Sequence, residues 1–178
     1  MKHILPLLLA IIPFINLYAQ KKTPKMDYQL ITETVTNIFV GADERDWPMI
    51  KEAFDSKILL DYSSLTGQPA ATLSADDIIA SWKKVFPGFK NTHHQLGNFK
   101  VTQTEKEATV FCYGTATHYL PNDTHQDTWT VVGTYNFHLV HKNGQWKVDL
   151  MKMNFKYQEG NTSLPQMAIE KATQLSQQ

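Results

Sequence analysis

The stretch TWTVVGTYNFHLVHKNGQWKVDLMKMNFKY, residues 128–157, decides the fold. Apolar and polar residues alternate on both sides of Asn143-Gly144, and this period of two predicts strands over Thr128–Lys142 and Gln145–Tyr157. Asn-Gly favours the tight turn of a β-hairpin because both residues tolerate positive φ angles. The sequence therefore predicts two long antiparallel strands joined at residues 143–144.

Two more strands precede this hairpin, and helices precede the strands. Alternation predicts strands over His94–Thr102 and Ala108–Leu120, whereas apolar residues at helical spacing predict three helices before residue 91. Long strands that follow a group of helices define an α+β domain, and one face of such a sheet has to be covered. We therefore expect three N-terminal helices packed on a curved antiparallel sheet.

The expected helix ends follow from capping residues. The first helix begins near Asp27, and Gly41 is placed to end it. Asp46 can cap a second short helix, and Ser74 can open the third through a capping box. Between the second and third helices, after a short strand, Gly and Pro residues predict a loop over Ser63–Leu73.

The first residues have the pattern of a secretory signal. Lys2 precedes an apolar run over Ile4–Leu17, and Ala19 is a small residue at the expected cleavage site. We therefore expect a signal peptide over residues 1–19 and a polar leader over residues 20–26. The protein would be secreted or periplasmic, with no membrane attachment after cleavage; an uncleaved anchor is the alternative.

Composition excludes several classes of partner and cofactor. Lys and Arg number 17 and so do Asp and Glu, so no basic excess exists to neutralise a phosphate backbone, and we expect no nucleic acid partner. A single cysteine, Cys112, excludes an intramolecular disulfide and a multi-cysteine metal site. The histidines form no helical zinc motif, and no Gly-rich phosphate loop occurs. We expect neither a metal nor a cofactor.

Six segments in this order resemble scytalone dehydratase and the SnoaL-like proteins of the nuclear transport factor 2-like superfamily. They are Asp43-x-x-Asp46-Trp47, Leu60-Asp61-Tyr62-Ser63-Ser64, Thr92-His93-His94-Gln95-Leu96-Gly97, the surroundings of His118, Thr134-Tyr135-Asn136-Phe137-His138 and Gly144-Gln145-Trp146-Lys147. The resemblance implies one domain over residues 27–157 whose helices and sheet enclose a conical pocket. A polar tail or helix would follow over residues 158–178. Pairing of two sheets into a homodimer is plausible by the same resemblance.

The resemblance assigns candidate catalytic residues. In scytalone dehydratase, an aspartate at the end of the first helix orients a histidine on the first long strand, and these match Asp43 and His94. A second histidine and a tyrosine of that family match His118 and Tyr62. In that family, two tyrosines hold the water that polarises the substrate carbonyl. The second of them stands where this chain has Ala42, so only the tyrosine that matches Tyr62 is present.

Candidate binding residues come from the same comparison and from the apolar pattern. A serine and an asparagine on the family's third strand match Thr134 and Asn136, which we expect to bind substrate. Three aromatic residues, Trp47, Trp82 and Phe86, are expected in the core or the pocket lining. The predicted ligand is a small, mostly apolar molecule.

These residue types suit proton transfer beside a carbonyl group. The base needs a pKa near the working pH, and histidine starts near ~6.5. A carboxylate such as Asp43 fixes the tautomer of His94 and stabilises the imidazolium that forms. We expect a cofactor-free lyase, such as a dehydratase, or an isomerase, with His118 or Tyr62 as the acid. The alternative, which Ala42 favours, is a non-catalytic module that binds a small molecule or dimerises; each polar residue also has a purely structural reading.

Overall fold

The structure, a computed structural model, describes residues 27–177, and the predicted signal peptide and leader lie outside this range. The helices are α1 Tyr28–Glu44, α2 Trp47–Ala53, α3 Ser63–Thr66, α4 Ala75–Trp82 and α5 Leu164–Leu175. The strands are β1 Phe54–Asp61, β2 Ala71–Leu73, β3 Asn91–Gln103, β4 Glu107–Tyr119, β5 Thr128–Lys142 and β6 Gln145–Gly160. Within residues 27–177, no helix is both long enough and apolar enough to cross a membrane.

The six strands form one sheet in the order β2-β1-β6-β5-β4-β3. Strands β3 to β6 form the predicted antiparallel meander, and Asn143 and Gly144 have the positive φ angles, 53° and 79°, of the predicted hairpin turn. The prediction of a purely antiparallel sheet is wrong at one place, because β1 pairs parallel with β6. Strands β1 and β6 are far apart in the sequence and no hairpin connects them, because α2 precedes β1 and α3 follows it.

The first helix does not end at Gly41 as predicted. Helix α1 continues to Glu44, and Arg45 follows in the left-handed conformation with φ 57°. A Cβ atom on Gly41 would lie 2.7 Å from Cγ1 of Ile50 and 3.0 Å from the carbonyl oxygen of Asp46. The glycine therefore allows α2 to approach α1 closely, which is a packing role and not a capping role.

The other caps are where the sequence places them, but the predicted loop is not. The Asp46 carboxylate accepts the backbone N–H of Met49 at 3.0 Å, and Ser74 forms the full capping box with Asp77. The range 63–73 contains helix α3 and strand β2, so the loop prediction is wrong there. The Ser64 hydroxyl holds α3 on β6, donating to the carbonyl of Met153 and accepting from the N–H of Phe155.

One face of the sheet and helix α1 form the core. On β4, alternate residues from Ala108 to His118 are buried, as the period of two predicts. Register shifts between β5 and β6, at residues 132–133 and 138–139, interrupt the ladder and help to bend the sheet. The predicted C-terminal tail or helix is helix α5, which buries Leu164 beside Phe89. The helices thus lie at both ends of the chain and not only before the sheet.

Candidate active site

A cavity of about 310 Å³ lies between helices α1 and α4 and the inner face of the sheet, with mostly aromatic and aliphatic walls. Five predicted site residues line it: Tyr62, Trp82, Phe86, His94 and His118. They come from separate elements, namely the end of β1, helix α4, the turn after it, β3 and β4. Folding therefore brings both candidate histidines and the candidate tyrosine to one space.

Asp43 and His94 form a close, buried pair. The carboxylate Oδ1 of Asp43 lies 2.7 Å from Nδ1 of His94, and its Oδ2 accepts the backbone N–H of the same histidine at 2.7 Å. The hydroxyl of Thr92 donates to Oδ1 at 2.8 Å. The side chains of His94 and Asp43 are only 9% and 13% exposed. The last turn of α1 thus fixes both the backbone and the ring of one residue on β3.

The hydrogen-bond partners of Asp43 determine the ionisation of its carboxyl and the position of the ring hydrogen on His94. Burial raises the pKa of the Asp43 carboxyl, but the hydrogen bonds from His94 and Thr92 outweigh this effect, so the pKa lies below its ordinary value. An ionised carboxylate only accepts hydrogen bonds, so Nδ1 of His94 carries the hydrogen. In its uncharged form, the ring of His94 has its lone pair on Nε2, and this ring lines the cavity.

Arg45 forms hydrogen bonds with Asp43 and Thr92 at this site, and the sequence analysis did not propose it. Its guanidinium donates to the carbonyl of Phe86 at 2.8 Å, to the hydroxyl of Thr92 at 3.2 Å and to the carbonyl of Asp43. These bonds join the end of α1 to the turn that carries Phe86, which forms a wall of the cavity. Arg45 has a left-handed backbone conformation, which no local sequence pattern predicts.

His118 is buried beside His94, and its Nδ1 atom contacts a backbone carbonyl and not a carboxylate. The ring centroids lie 5.7 Å apart in an edge arrangement, and Nδ1 of His118 lies 3.2 Å from the carbonyl oxygen of Trp129. Because a carbonyl only accepts, Nδ1 carries the hydrogen and Nε2 keeps a lone pair. Burial, followed by the charge of His94, lowers the pKa of His118 to about 4. The ring is therefore uncharged at neutral pH and offers an acceptor.

The low pKa of His118 predicts a loss of stability on mild acidification. The unfolded chain binds a proton at ~6.5 and the folded chain only near pH 4, so the free energy of unfolding falls as the pH drops through this range. The difference is worth at most about 3 kcal/mol. Urea unfolding at pH 7 and pH 4.5 measures it. We expect His118→Gln to lose less stability than wild type between these pH values.

The matched control for this prediction is His93→Gln, which changes an exposed histidine on the same sheet. That variant should keep the pH dependence of wild type. If His118→Gln and His93→Gln showed identical slopes, the buried neutral state of His118 would be excluded.

Two tyrosines, Tyr62 and Tyr135, line the same cavity. Burial raises the pKa of the Tyr135 phenol to about 12 and that of the Tyr62 phenol well above its ordinary value of 10. Both phenols are therefore neutral O–H groups. The sequence analysis did not propose Tyr135, although strand alternation places it on the same face of β5 as Val131.

Thr134 and Asn136 are not where a substrate-binding role requires them. They lie on the face of β5 that points away from the cavity, because side chains alternate along the strand and Tyr135 points inward. The amide of Asn154 donates to Oδ1 of Asn136 at 2.8 Å on that outer face. A shift of one residue along a strand reverses the face of a side chain, so Tyr135 lines the cavity and its two neighbours do not.

Trp47 lies at the core, one of the two places expected for it, and not in the cavity lining. It packs against the core, and the ammonium of Lys83 lies 5.6 Å from its ring centroid. Among the described residues that line the cavity, Trp47 does not occur. Across residues 27–177, no group of three or more His, Cys, Asp or Glu side chains is arranged to hold a metal ion.

The curved six-stranded sheet, with helices that close it around a cavity, is the α+β architecture of the nuclear transport factor 2-like class. The chain belongs to the family of the SnoaL-like domain, whose model matches residues 26–152. The matched range includes the Asp43–His94 pair and ends before helix α5.

Solved structures share the fold of this chain. The Kfla4162 protein from Kribbella flavida is 26% identical, with a TM-score of 0.71 over 83% of this chain and 97% of that one. A candidate scytalone dehydratase from Novosphingobium aromaticivorans is 18% identical, with a TM-score of 0.65 over 75% and 87%. The hexachlorocyclohexane dehydrochlorinase LinA-type3 from Novosphingobium barchaimii is 12% identical, with a TM-score of 0.61 over 76% and 90%. A search of the curated proteins found no match.

Proposed function

We propose that the protein is a cofactor-free lyase or isomerase that removes a proton beside the carbonyl group of a small, mostly apolar compound. The observation that carries this proposal is the 2.7 Å contact between Asp43 and Nδ1 of His94 at the edge of an apolar cavity. An orienting carboxylate leaves Nε2 of the histidine free as the base.

The reaction begins when Nε2 of His94 takes the proton from the α-carbon. The C–H electron pair forms a C=C bond, and the carbonyl electrons move to the oxygen, which gives an enolate. The imidazolium that results is stabilised by the ionised Asp43 carboxylate at its other nitrogen. General acid–base catalysis of this kind contributes about 10²–10⁴-fold.

The same imidazolium can complete either reaction. In a dehydration, it returns the proton to a hydroxyl on the β-carbon, the C–O bond breaks, and water leaves as the enolate becomes an unsaturated ketone. In an isomerisation, it returns the proton to another carbon of the enolate. His118 has a role as acceptor here, because its Nε2 lone pair can hold the hydrogen of a substrate hydroxyl. This role replaces the acid role expected for it.

The lining of the cavity supports a neutral, mostly apolar substrate. Among the described residues that line the cavity, none is Lys, Arg, Asp or Glu, so neither a phosphate nor a carboxylate of a ligand would find an ionic partner there. The aromatic walls suit a flat ring system. The volume of about 310 Å³ is at the lower end for small-molecule sites. A neutral mono- or bicyclic hydroxy ketone fits these limits.

Incubation with 3-hydroxy-1-tetralone tests the proposal, because loss of water from this ketone gives 1-naphthol. We expect 1-naphthol to form faster with the protein than in buffer. The structural neighbours that are named as dehydratase and dehydrochlorinase support the choice of an elimination assay. Recovery of bound but unchanged hydroxy ketone would contradict the proposal and favour the non-catalytic binding module.

A further inference from the structure

The cavity contains a second pair of polar side chains whose function the base pair does not explain. Of the described residues that line it, the two with a hydroxyl group are Tyr62 and Tyr135. They are far apart in the sequence, and β1 and β5 lie on opposite sides of β6 in the sheet. Their side chains nevertheless line the same cavity, and each influences the pKa of the other.

Close packing fixes the ring of Tyr135. The Phe39 ring meets it edge-on with centroids 5.0 Å apart, and the Phe137 ring stacks on it at 5.8 Å. On β4, a Cβ atom on Gly114 would lie 2.4 Å from Cε2 of Tyr135. The glycine thus leaves the space that the ring occupies. A ring held on three sides places its hydroxyl at a defined point of the cavity.

The two histidines and the two tyrosines are chemically complementary. Nδ1–H of His94 is used by Asp43, and Nδ1–H of His118 is used by the carbonyl of Trp129, so both rings offer lone pairs to a ligand. The phenols offer O–H donors. A carbonyl compound that loses a proton to a base gains negative charge on its oxygen, and donors aimed at that oxygen stabilise the transition state.

The geometry points to Tyr135 as a further catalytic residue, which together with Tyr62 donates hydrogen bonds to the carbonyl oxygen of the substrate and to the enolate oxygen formed from it. This inference rests on the proposed function and deepens it, because it adds the oxygen-binding half of the site and requires a ketone or aldehyde as substrate.

The phenols act here as hydrogen-bond donors and not as acids. Burial raises the pKa of both, so that they keep their protons while the oxygen in front of them becomes negative. Trp129, the other large polar aromatic near His118, is not free for this role, because its indole N–H donates to Gln158 at 2.8 Å.

Exchange of the α-protons of 1-tetralone in D₂O, followed by NMR, tests the inference. Removal of one donor to a developing oxyanion typically costs about 10²–10³-fold in kcat. We expect Tyr135→Phe to slow exchange by about 10²-fold with a smaller change in KM. The matched control is Tyr157→Phe, since Tyr157 is an exposed tyrosine on β6. Where wild type exchanges faster than buffer, an equal exchange rate in Tyr135→Phe would overturn the inference.

A binding measurement separates this inference from the proposed function. 4-Nitrophenol presents a phenolate oxygen to the same donors without any reaction, and its absorbance near 400 nm reports the fraction bound as phenolate. We expect this fraction to be lower in Tyr135→Phe than in wild type. Absence of binding by wild type, or identical spectra for the two proteins, would overturn the oxygen site. Absence of exchange by wild type, with the spectral difference present, would overturn only the proposed function.

A second variant tests the position of the ring and keeps its hydroxyl. Gly114→Ala places a methyl group within 2.4 Å of Cε2 of Tyr135, so the ring has to move. Gly97→Ala is the control, because nothing lies within 4 Å of a Cβ atom there. We expect the first variant, and not the second, to lower both exchange and phenolate binding. Unchanged exchange and binding in a folded Gly114→Ala protein would contradict the assigned position.

Discussion

His94→Gln is expected to slow the formation of 1-naphthol from 3-hydroxy-1-tetralone by about 10²–10⁴-fold, because it removes the base that takes the α-proton. Glutamine is similar in size and keeps a polar group at the site, but it cannot accept a proton at neutral pH. Circular dichroism and thermal unfolding should show that the variant is folded. The rate measured by naphthol fluorescence provides the test.

The matched control for this change is His93→Gln. His93 is adjacent in the sequence but exposed on the other face of β3, so its replacement leaves the cavity intact. Wild-type turnover by His94→Gln would exclude the base assignment, and an equal loss in both variants would point to a general effect on the strand.

Asp43→Asn is expected to have the second-largest effect, on both turnover and stability. An amide can donate to Nδ1 of His94, which moves the ring hydrogen to Nε2 and removes the lone pair from the cavity. We expect a loss of turnover of about 10²–10⁴-fold. The substitution also replaces a charged acceptor of three hydrogen bonds, so the free energy of unfolding should fall by about 2–4 kcal/mol.

The stability effect of Asp43 has a defined pH dependence. Folding lowers the pKa of the Asp43 carboxyl. The stability that this carboxylate contributes is therefore complete above its pKa in the unfolded chain, ~3.9, and is lost as the pH falls through its pKa in the folded protein. The difference in unfolding free energy between wild type and Asp43→Asn should therefore persist at pH 6–8. Asp46→Asn is the control, since asparagine is as good an N-cap as aspartate. Equal stability of Asp43→Asn and Asp46→Asn would contradict the buried pair.

Local sequence signals predicted the features that depend on neighbouring residues. The hairpin at Asn143 follows from turn chemistry, the caps at Asp46 and Ser74 follow from side chains that reach their own helix, and the buried face of β4 follows from its alternation. Local signals could not predict the pairing of Asp43 with His94, since 51 positions separate the two residues. A resemblance to known proteins supplied that expectation.

The features that the sequence did not predict depend on distant parts of the chain. The parallel pairing of β1 with β6 has no local signal. The glycine at position 41 predicts a helix end, but its role in the structure is to leave space for Ile50 of the next helix. Tyr135 was passed over in favour of its neighbours Thr134 and Asn136, because a one-residue difference in register decides which side chains enter the cavity.

The measurement that tests the central claim most directly is the initial rate of deuterium incorporation at the α-carbon of 1-tetralone in D₂O, since it reports proton abstraction without requiring a leaving group. With wild-type protein, the account predicts incorporation well above the rate in buffer, and a return to the buffer rate with His94→Gln. Incorporation at the buffer rate with folded, ligand-binding wild-type protein would contradict the assignment of the Asp43–His94 pair as a catalytic base.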